Sequence, residues 1–373
     1  MKIFFFGQRG LPATAIIDAD EARVHNLAIS AVYSGHEVFV GTTSPYSSAS
    51  LRNLGAIELV HRASLNPEKS GGWLYLWFSF LSALRIKPSV VHFHGLPAPL
   101  FARLIAFFYP ETTLIWTVSS LANWSTFRVR LFSFFTGGVF DGITTPSRQL
   151  QYRLLVEYGI KALYVPDGYE IPLLEDIPAR NFGLRKGQYV FALAQDRKTC
   201  AWTVKAYNNT STRKQLVFGV YKKEAWQTSL ERRHSFVRFI QISPGRAFTS
   251  LIRQSHALLA LDLKTPTWAL LLAMETKLPV VAITNPLYEE TLGTAGLFTA
   301  SFDVAELEDI LHAVIKRDAP LTVRQKLYLG AKRARGHFTR ERIWQEYLPL
   351  YYYPAVRYVP MDSVQRMPHV RIS

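Results

Sequence analysis

The chain opens Met1-Lys2-Ile3-Phe4-Phe5-Phe6-Gly7-Gln8-Arg9-Gly10-Leu11-Pro12-Ala13-Thr14-Ala15, and this stretch decides the fold. Residues 3–6 are an uninterrupted apolar run, the pattern of a parallel strand buried on both faces. Gly7, Gly10 and Pro12 then break the strand into a loop, and a helical stretch carrying Glu21, Val24 and Leu27 runs to Gly35-His36-Glu37-Val38. A strand that delivers its carboxyl end to a glycine-bearing turn and a helix start makes an anion site from backbone N–H groups. Arg9 adds a fixed positive fork beside it. The same spacing also fits the first strand–loop–helix unit of any doubly wound protein.

Working outward, strand-like runs alternate with helical ones at residues 3–6, 38–41, 90–94, 113–118, 142–145 and 162–165. That alternation predicts a parallel sheet covered by helices on both faces. Asp167-Gly168 between Pro166 and Pro172 reads as a turn leaving the sheet, with a linker through residues 173–184. A second alternation follows at 189–194, 215–219, 236–240, 257–261, 280–283 and 296–298. A chain of 373 residues exceeds what one core usually holds, and 49% hydrophobic content is enough for two. The expected division is residues 1–172, residues 185–335, a helix over 336–353 and a basic tail over 354–373.

The wording Gly7-Gln8-Arg9-Gly10-Leu11-Pro12-Ala13, followed by a helix closing in Gly35-His36-Glu37-Val38, resembles the family-4 glycosyltransferases. The resemblance is closest to the branch of bacterial polysaccharide rhamnosyltransferases, where the loop reads roughly GxRGxPAxYGGxE. It implies an α/β, GT-B architecture: two Rossmann-like domains facing across a cleft, with the terminal helix crossing back to the first. Glu21 falls on the family's glutamate, whereas Asp18 and Ala19 stand where the paired glycines should be. An aspartate and a β-carbon there would repel and crowd a diphosphate.

Further positions follow from the same resemblance. His92-Phe93-His94-Gly95 matches the family's HxHG segment and puts His94 on the acceptor side with Glu21. Histidines at i and i+2 share a strand face, as a metal pair would, but no third ligand stands at a sensible spacing. Ser119 occupies the place of a family histidine near the sugar; a hydroxyl can hydrogen-bond there but cannot shuttle protons near neutral pH. Gly7, Arg9 and Gly10 are the expected phosphate-approach residues. In the second domain Gln195 stands at the approximate place of the diphosphate-clamping arginine, with Arg197 and Lys198 nearby as a shifted clamp or as two solvated cations. Two family glutamates that hold the donor sugar and ribose fall on Lys264 and Leu272, which cannot accept those hydrogen bonds. Residues 264–267, Lys-Thr-Pro-Thr, faintly echo a Gly-Gly-Thr-Asn-Pro alternative. Glu290 lies in a closing loop that matches the family and would orient a donor hydroxyl.

Forty-three Lys and Arg against 28 Asp and Glu give a net charge of +15, which calls for an anionic partner. The cations are spread along the chain without a DNA-reading helix or zinc motif, so nucleic acid is not expected. Residues 72–81 and 99–109 are aromatic-rich, basic-flanked runs shorter than a membrane span. They fit either buried helices or an interfacial surface. A single cysteine, Cys200, excludes an internal disulfide and, with no leader visible before the first strand, points to the cytoplasm, peripherally at the inner membrane face.

Two functions fit these residues. One is a metal-independent glycosyltransferase without a cofactor, retaining by resemblance, that moves a sugar from a nucleotide sugar to a lipid-linked or polysaccharide acceptor. The other is a degenerate GT-B protein that partners a second glycosyltransferase.

Overall fold

The computed structural model describes residues 1–8, 11, 19–43, 52–62, 71–95, 98–119, 138–169, 176–193, 196–210, 212–220, 223–242, 246–262, 265–315 and 320–352. Two sheets organise them. The first has β1 (Lys2–Phe6), β2 (Glu37–Thr43), β3 (Asn53–Leu54), β4 (Ile57–Arg62), β5 (Val90–His94), β6 (Thr113–Thr117), β7 (Gly142–Thr145) and β8 (Leu163–Tyr164). Their spatial order is β3-β4-β2-β1-β5-β6-β7-β8, parallel except for the short edge pair β3/β4. The second has β9 (Tyr189–Leu193), β10 (Gln215–Val220), β11 (Val237–Gln241), β12 (Ala257–Ala260), β13 (Val280–Ile283) and β14 (Leu297–Thr299), all parallel in the order β11-β10-β9-β12-β13-β14.

Each sheet reverses its winding beside its first strand. Strand β1 lies between β2 and β5, and β9 lies between β10 and β12. At such a switch point the loops at the carboxyl ends diverge and open a crevice. Topology alone thus directs the β1 loop with the end of β5, and the β9 loop with the end of β12, toward ligand-binding positions.

The hairpin β3/β4 is an element that the strand-by-strand expectation lacked. Its signal was present in Gly55, at φ +60 between Leu54 and Ile57, and in the alternating burial of Ile57 and Leu59. As an edge pair it carries only that half-buried pattern, weaker than the continuous apolar runs inside the sheet.

Residues of β1 alternate between two cores. Phe4 and Phe6 pack with Tyr75, Leu76 and Phe80 of the helix Gly71–Ile86 and with Ile105 of the helix Ala102–Phe108. Ile3 and Phe5 face the other way, onto Val24, Leu27 and Ala28 of the helix Ala19–Tyr33 and onto Ile343, Trp344, Tyr347 and Tyr351. Those last four belong to the helix Arg340–Tyr352, which therefore completes the core of the first sheet from the far end of the chain. Trp344 also donates from its indole to Ser34 Oγ at 2.7 Å. Replacing Trp344 with Ala removes a buried aromatic and that bond, so urea denaturation should show a loss of about 3–5 kcal/mol. A loss below about 1 kcal/mol would mean the helix is not needed to close this core.

Candidate functional site

The carboxyl edge of the first sheet is built around one buried cation. Arg23, 3% exposed on the first turns of the helix Ala19–Tyr33, donates through Nε to Asp167 Oδ1 at 2.6 Å. Its Nη1 donates to Asp20 Oδ1 at 2.6 Å and to Ser119 Oγ at 2.9 Å, and Ser119 donates to the same Asp20 oxygen. Asp167 accepts in addition from Thr267 Oγ1 at 2.9 Å, on the helix Thr267–Glu275 of the second sheet's unit. Burial alone would pull the Arg23 pKa down, but the charges of Asp167 and Asp20 outweigh it and keep the guanidinium charged.

Beneath this cluster lies a layer of neutral polar groups. His92 is bonded through Nδ1 to the Tyr351 hydroxyl and through Nε2 to Thr117 Oγ1, both at 2.7 Å. Tyr347 reaches Thr117 and Thr144 at 3.3 and 3.2 Å. His94 stacks on His92 with ring centroids 4.3 Å apart, is fully buried, and has no hydrogen-bond partner on either nitrogen among the described residues. Burial lowers both histidine pKa values well below 6.5; for His92 the neighbouring His94 and then Arg23 add to this, and for His94 the charge of Arg23 does.

The predicted residues divide between this edge and elsewhere. Gly7 ends β1 at φ +100, a conformation that favours glycine, and Gly95 approaches it closely enough that an added Cβ would sit 3.7 Å from the Gly7 carbonyl oxygen. Gln8 ties that turn to the carbonyls of Phe5 and Gly41 at 3.1 and 2.8 Å, while Tyr75 donates to the Gln8 carbonyl at 2.7 Å. Glu21 is buried in the first turn of its helix. Gly7, Glu21, His94 and Ser119 therefore gather at one end of the first sheet. Arg9 and Gly10 lie outside the described residues, as do Asp18, Gln195 and Lys264.

Glu290 departs from the expectation. Its carboxylate oxygens accept from the backbone N–H of Arg148 at 3.1 and 2.9 Å and from Ser147 Oγ at 3.3 Å. These groups start the helix Arg148–Tyr158, where Ser147 is the N-cap. Glu290 is thus a strut between the two units, and a donor hydroxyl would have to displace those bonds. Arg197 and Lys198 open the exposed first turn of the helix Arg197–Asn208, but the Lys198 ammonium sits 4.0 Å over the Phe302 ring. Asp196 caps that helix by accepting from Thr199 N at 2.8 Å. A carboxylate already occupies the helix start, so an incoming phosphate must rely on the side-chain cations.

Leu272, the counterpart of the second family glutamate, is 2% exposed inside the second core. Glu275, three residues on, is bound by Arg335, whose Nε and Nη2 each lie 2.8 Å from its Oε1. Among the described residues no group of three or more His, Cys, Asp and Glu is placed to hold a metal ion. The residues of this buried charge cluster that sequence reasoning missed as a group are Arg23, Asp20 and Asp167. An arginine among the apolar positions of a core-facing helix was the available signal.

Comparison with known proteins bears on the fold. Residues 21–169 match the family Glycosyltransferase Family 4. No curated protein sequence matches the chain. Sucrose-phosphate synthase from Thermosynechococcus elongatus is 14% identical, the alignment covers 94% of this chain and 98% of that one, and the TM-score is 0.74. HepE of Anabaena in complex with UDP-glucose is 15% identical over 93% and 98%, with a TM-score of 0.70. UDP-GlcNAc 2-epimerase from Neisseria meningitidis bound to UDP-GlcNAc is 14% identical over 94% and 99%, with a TM-score of 0.65. The fold is GT-B, with two Rossmann-like α/β domains. Its first domain carries the family-4 match.

The buried histidines make stability pH-dependent. Their folded pKa values lie below the unfolded value near 6.5, so under acidification the unfolded chain takes up protons that the native state refuses. Stability is then intact above pH 6.5 and falls below it, by about 1.4 kcal/mol per pH unit for each histidine. Denaturant midpoints of wild type and His94→Phe between roughly pH 6.5 and 5 check this. The variant should show the shallower slope; equal slopes would contradict it.

Proposed function

We propose that the chain is a glycosyltransferase that moves a sugar from a nucleotide-diphosphate donor to a lipid-linked or polysaccharide acceptor, with retention at the sugar carbon. The observation that carries this reading is the family-4 match over residues 21–169 on a complete two-domain GT-B fold. HepE, of the same fold, is known in complex with UDP-glucose, and the epimerase with UDP-GlcNAc, which supports a nucleotide sugar as the ligand.

In this reading the acceptor oxygen bonds to the sugar carbon as the bond to phosphate breaks, negative charge collects on the departing diphosphate, and the acceptor's proton passes to that diphosphate oxygen. Arg197 and Lys198, on an exposed helix turn, would neutralise that charge without a metal, more strongly as the bound donor excludes water from around them. Arg9 and Gly10 would complete the phosphate approach from the first domain, beside Gly7. His94 and Glu21 would face the acceptor; a neutral buried imidazole can accept or donate one hydrogen bond without carrying charge. Ser119, bonded to Asp20 and Arg23, would orient a hydroxyl and not transfer a proton.

One observation favours a second reading, a non-transferring GT-B partner of another glycosyltransferase. Two carboxylates of the second domain are already committed: Glu275, three residues after the second glutamate's place, to Arg335, and Glu290 of the closing loop to Arg148 and Ser147.

Isothermal titration with a panel of nucleoside diphosphates and nucleotide sugars separates the two. The transferase reading expects sub-millimolar binding of one nucleotide, weakened on the order of tenfold or more in Arg197→Ala/Lys198→Ala. No nucleotide binding, with a second glycosyltransferase co-purifying, would overturn it in favour of the partner reading. Restoring a carboxylate by Leu272→Glu is not a useful probe, because that side chain lies in the core.

A further inference from the structure

Two helices on the same side of the first sheet expose aromatic side chains that a buried layer would hide. The helix Gly71–Ile86 packs Tyr75, Leu76 and Phe80 onto the sheet yet leaves Trp73, Leu74, Trp77, Phe78 and Leu81 exposed, Trp73 by 54% and Trp77 by 47%. These positions fall at i, i+1, i+4, i+5 and i+8, so they form one stripe. The helix Ala102–Phe108 adds Leu104, Phe107 and Phe108, with Phe107 81% exposed.

The two stripes are continuous. Trp77 meets Phe101 and Phe80 meets Phe108 with ring centroids 6.1 and 6.4 Å apart, and the Tyr109 hydroxyl donates to the Leu84 carbonyl at 2.7 Å. Exposed cations rim the same face: Arg85 and Lys87 at the end of the first helix, Arg103 one helical turn from Phe107. Residues 71–110 contain no carboxylate at all, Glu111 being the first.

We propose that this face docks the first domain onto an anionic phospholipid surface. Trp, Phe and Leu beside Arg and Lys are the composition of a surface that sinks partly into the headgroup region. No helix among the described residues is long and apolar enough to cross a membrane, so the contact is peripheral. Self-association fits less well, because a two-fold pairing of this face brings Arg85, Lys87 and Arg103 toward their own copies. The face lies across the sheet from the helix that carries Arg23 and from Trp344 and Tyr347, which leaves that cluster unobstructed.

The test is co-sedimentation of the full chain with vesicles of phosphatidylcholine, with and without phosphatidylglycerol. Wild type should bind the anionic vesicles and not the neutral ones. Trp73→Ser/Trp77→Ser/Phe107→Ser and, separately, Arg85→Glu/Lys87→Glu/Arg103→Glu should each lower partitioning on the order of tenfold or more, with unchanged circular dichroism. Should the first variant misfold, the charge reversal at exposed positions decides. No binding of wild type, or undiminished binding of the folded variants, overturns the proposal. So does a wild-type dimer in sedimentation velocity that the aromatic variant dissolves, which would assign the face to a second copy. No sugar donor or acceptor is present, so the outcome is independent of transferase activity.

Discussion

A buried guanidinium held between two carboxylates organises this molecule. Arg23 joins three segments distant in sequence: the first turn of the helix after β1, the end of β6 at Ser119, and the exit from β8 at Asp167. Removing a buried charge from water is costly, and the cost is offset only if every partner is in place. That requirement fixes where the helix Ala19–Tyr33 begins and where the chain leaves the first sheet. Asn26 reinforces it by donating to the Gly168 carbonyl at 3.0 Å. Asp167 then extends the bracket to Thr267, so the polar contact that closes the first domain also touches the second.

The same segment anchors the end of the chain. Tyr169 and Thr339 form a parallel bridge, after which the helix Arg340–Tyr352 lays Trp344, Tyr347 and Tyr351 under the first sheet. Tyr351 and Tyr347 satisfy His92, Thr117 and Thr144 beneath Arg23. His94 is left without a described partner directly beside them, aligned with the carboxyl end of β5 where the topology opens a crevice. The polar layer below is thus fixed by side chains from both ends of the chain, while His94 beside it has no hydrogen-bond partner among the described residues.

Much of the fold was legible because buried parallel strands announce themselves. The run Ile3-Phe4-Phe5-Phe6, the β5 and β6 runs and most strands of the second domain are apolar enough to read directly; β11, with Arg238 and Gln241, alternates instead. The edge hairpin β3/β4 was not, since half of its side chains face outward. The site was legible only where local wording carried it: Gly7, Glu21, His94 and Ser119 do converge. The pairing of Arg23 with Asp167 could not be read, because 144 residues separate the partners: Arg23 stands out only as a cation on an apolar helix face, and Asp167 only as part of a turn. The exposure of Trp73 and Trp77 was also hidden, since an apolar run has the same composition whether or not another layer covers it. Glu290 kept its place in the sequence pattern but turned its carboxylate to a helix start, a contact made across the domains.

The Arg23–Asp167 pair is the account's most exposed point, and a double-mutant cycle on stability measures it directly. Arg23→Met and Asp167→Asn each strand a charged or polar partner in a mostly buried site, whereas the double variant strands less. The account predicts a coupling of about 2 kcal/mol or more between the two positions, with Arg23→Lys failing to restore wild-type stability because one ammonium cannot replace the fork. Effects that add within about 0.5 kcal/mol would show that the bracket is incidental to the fold.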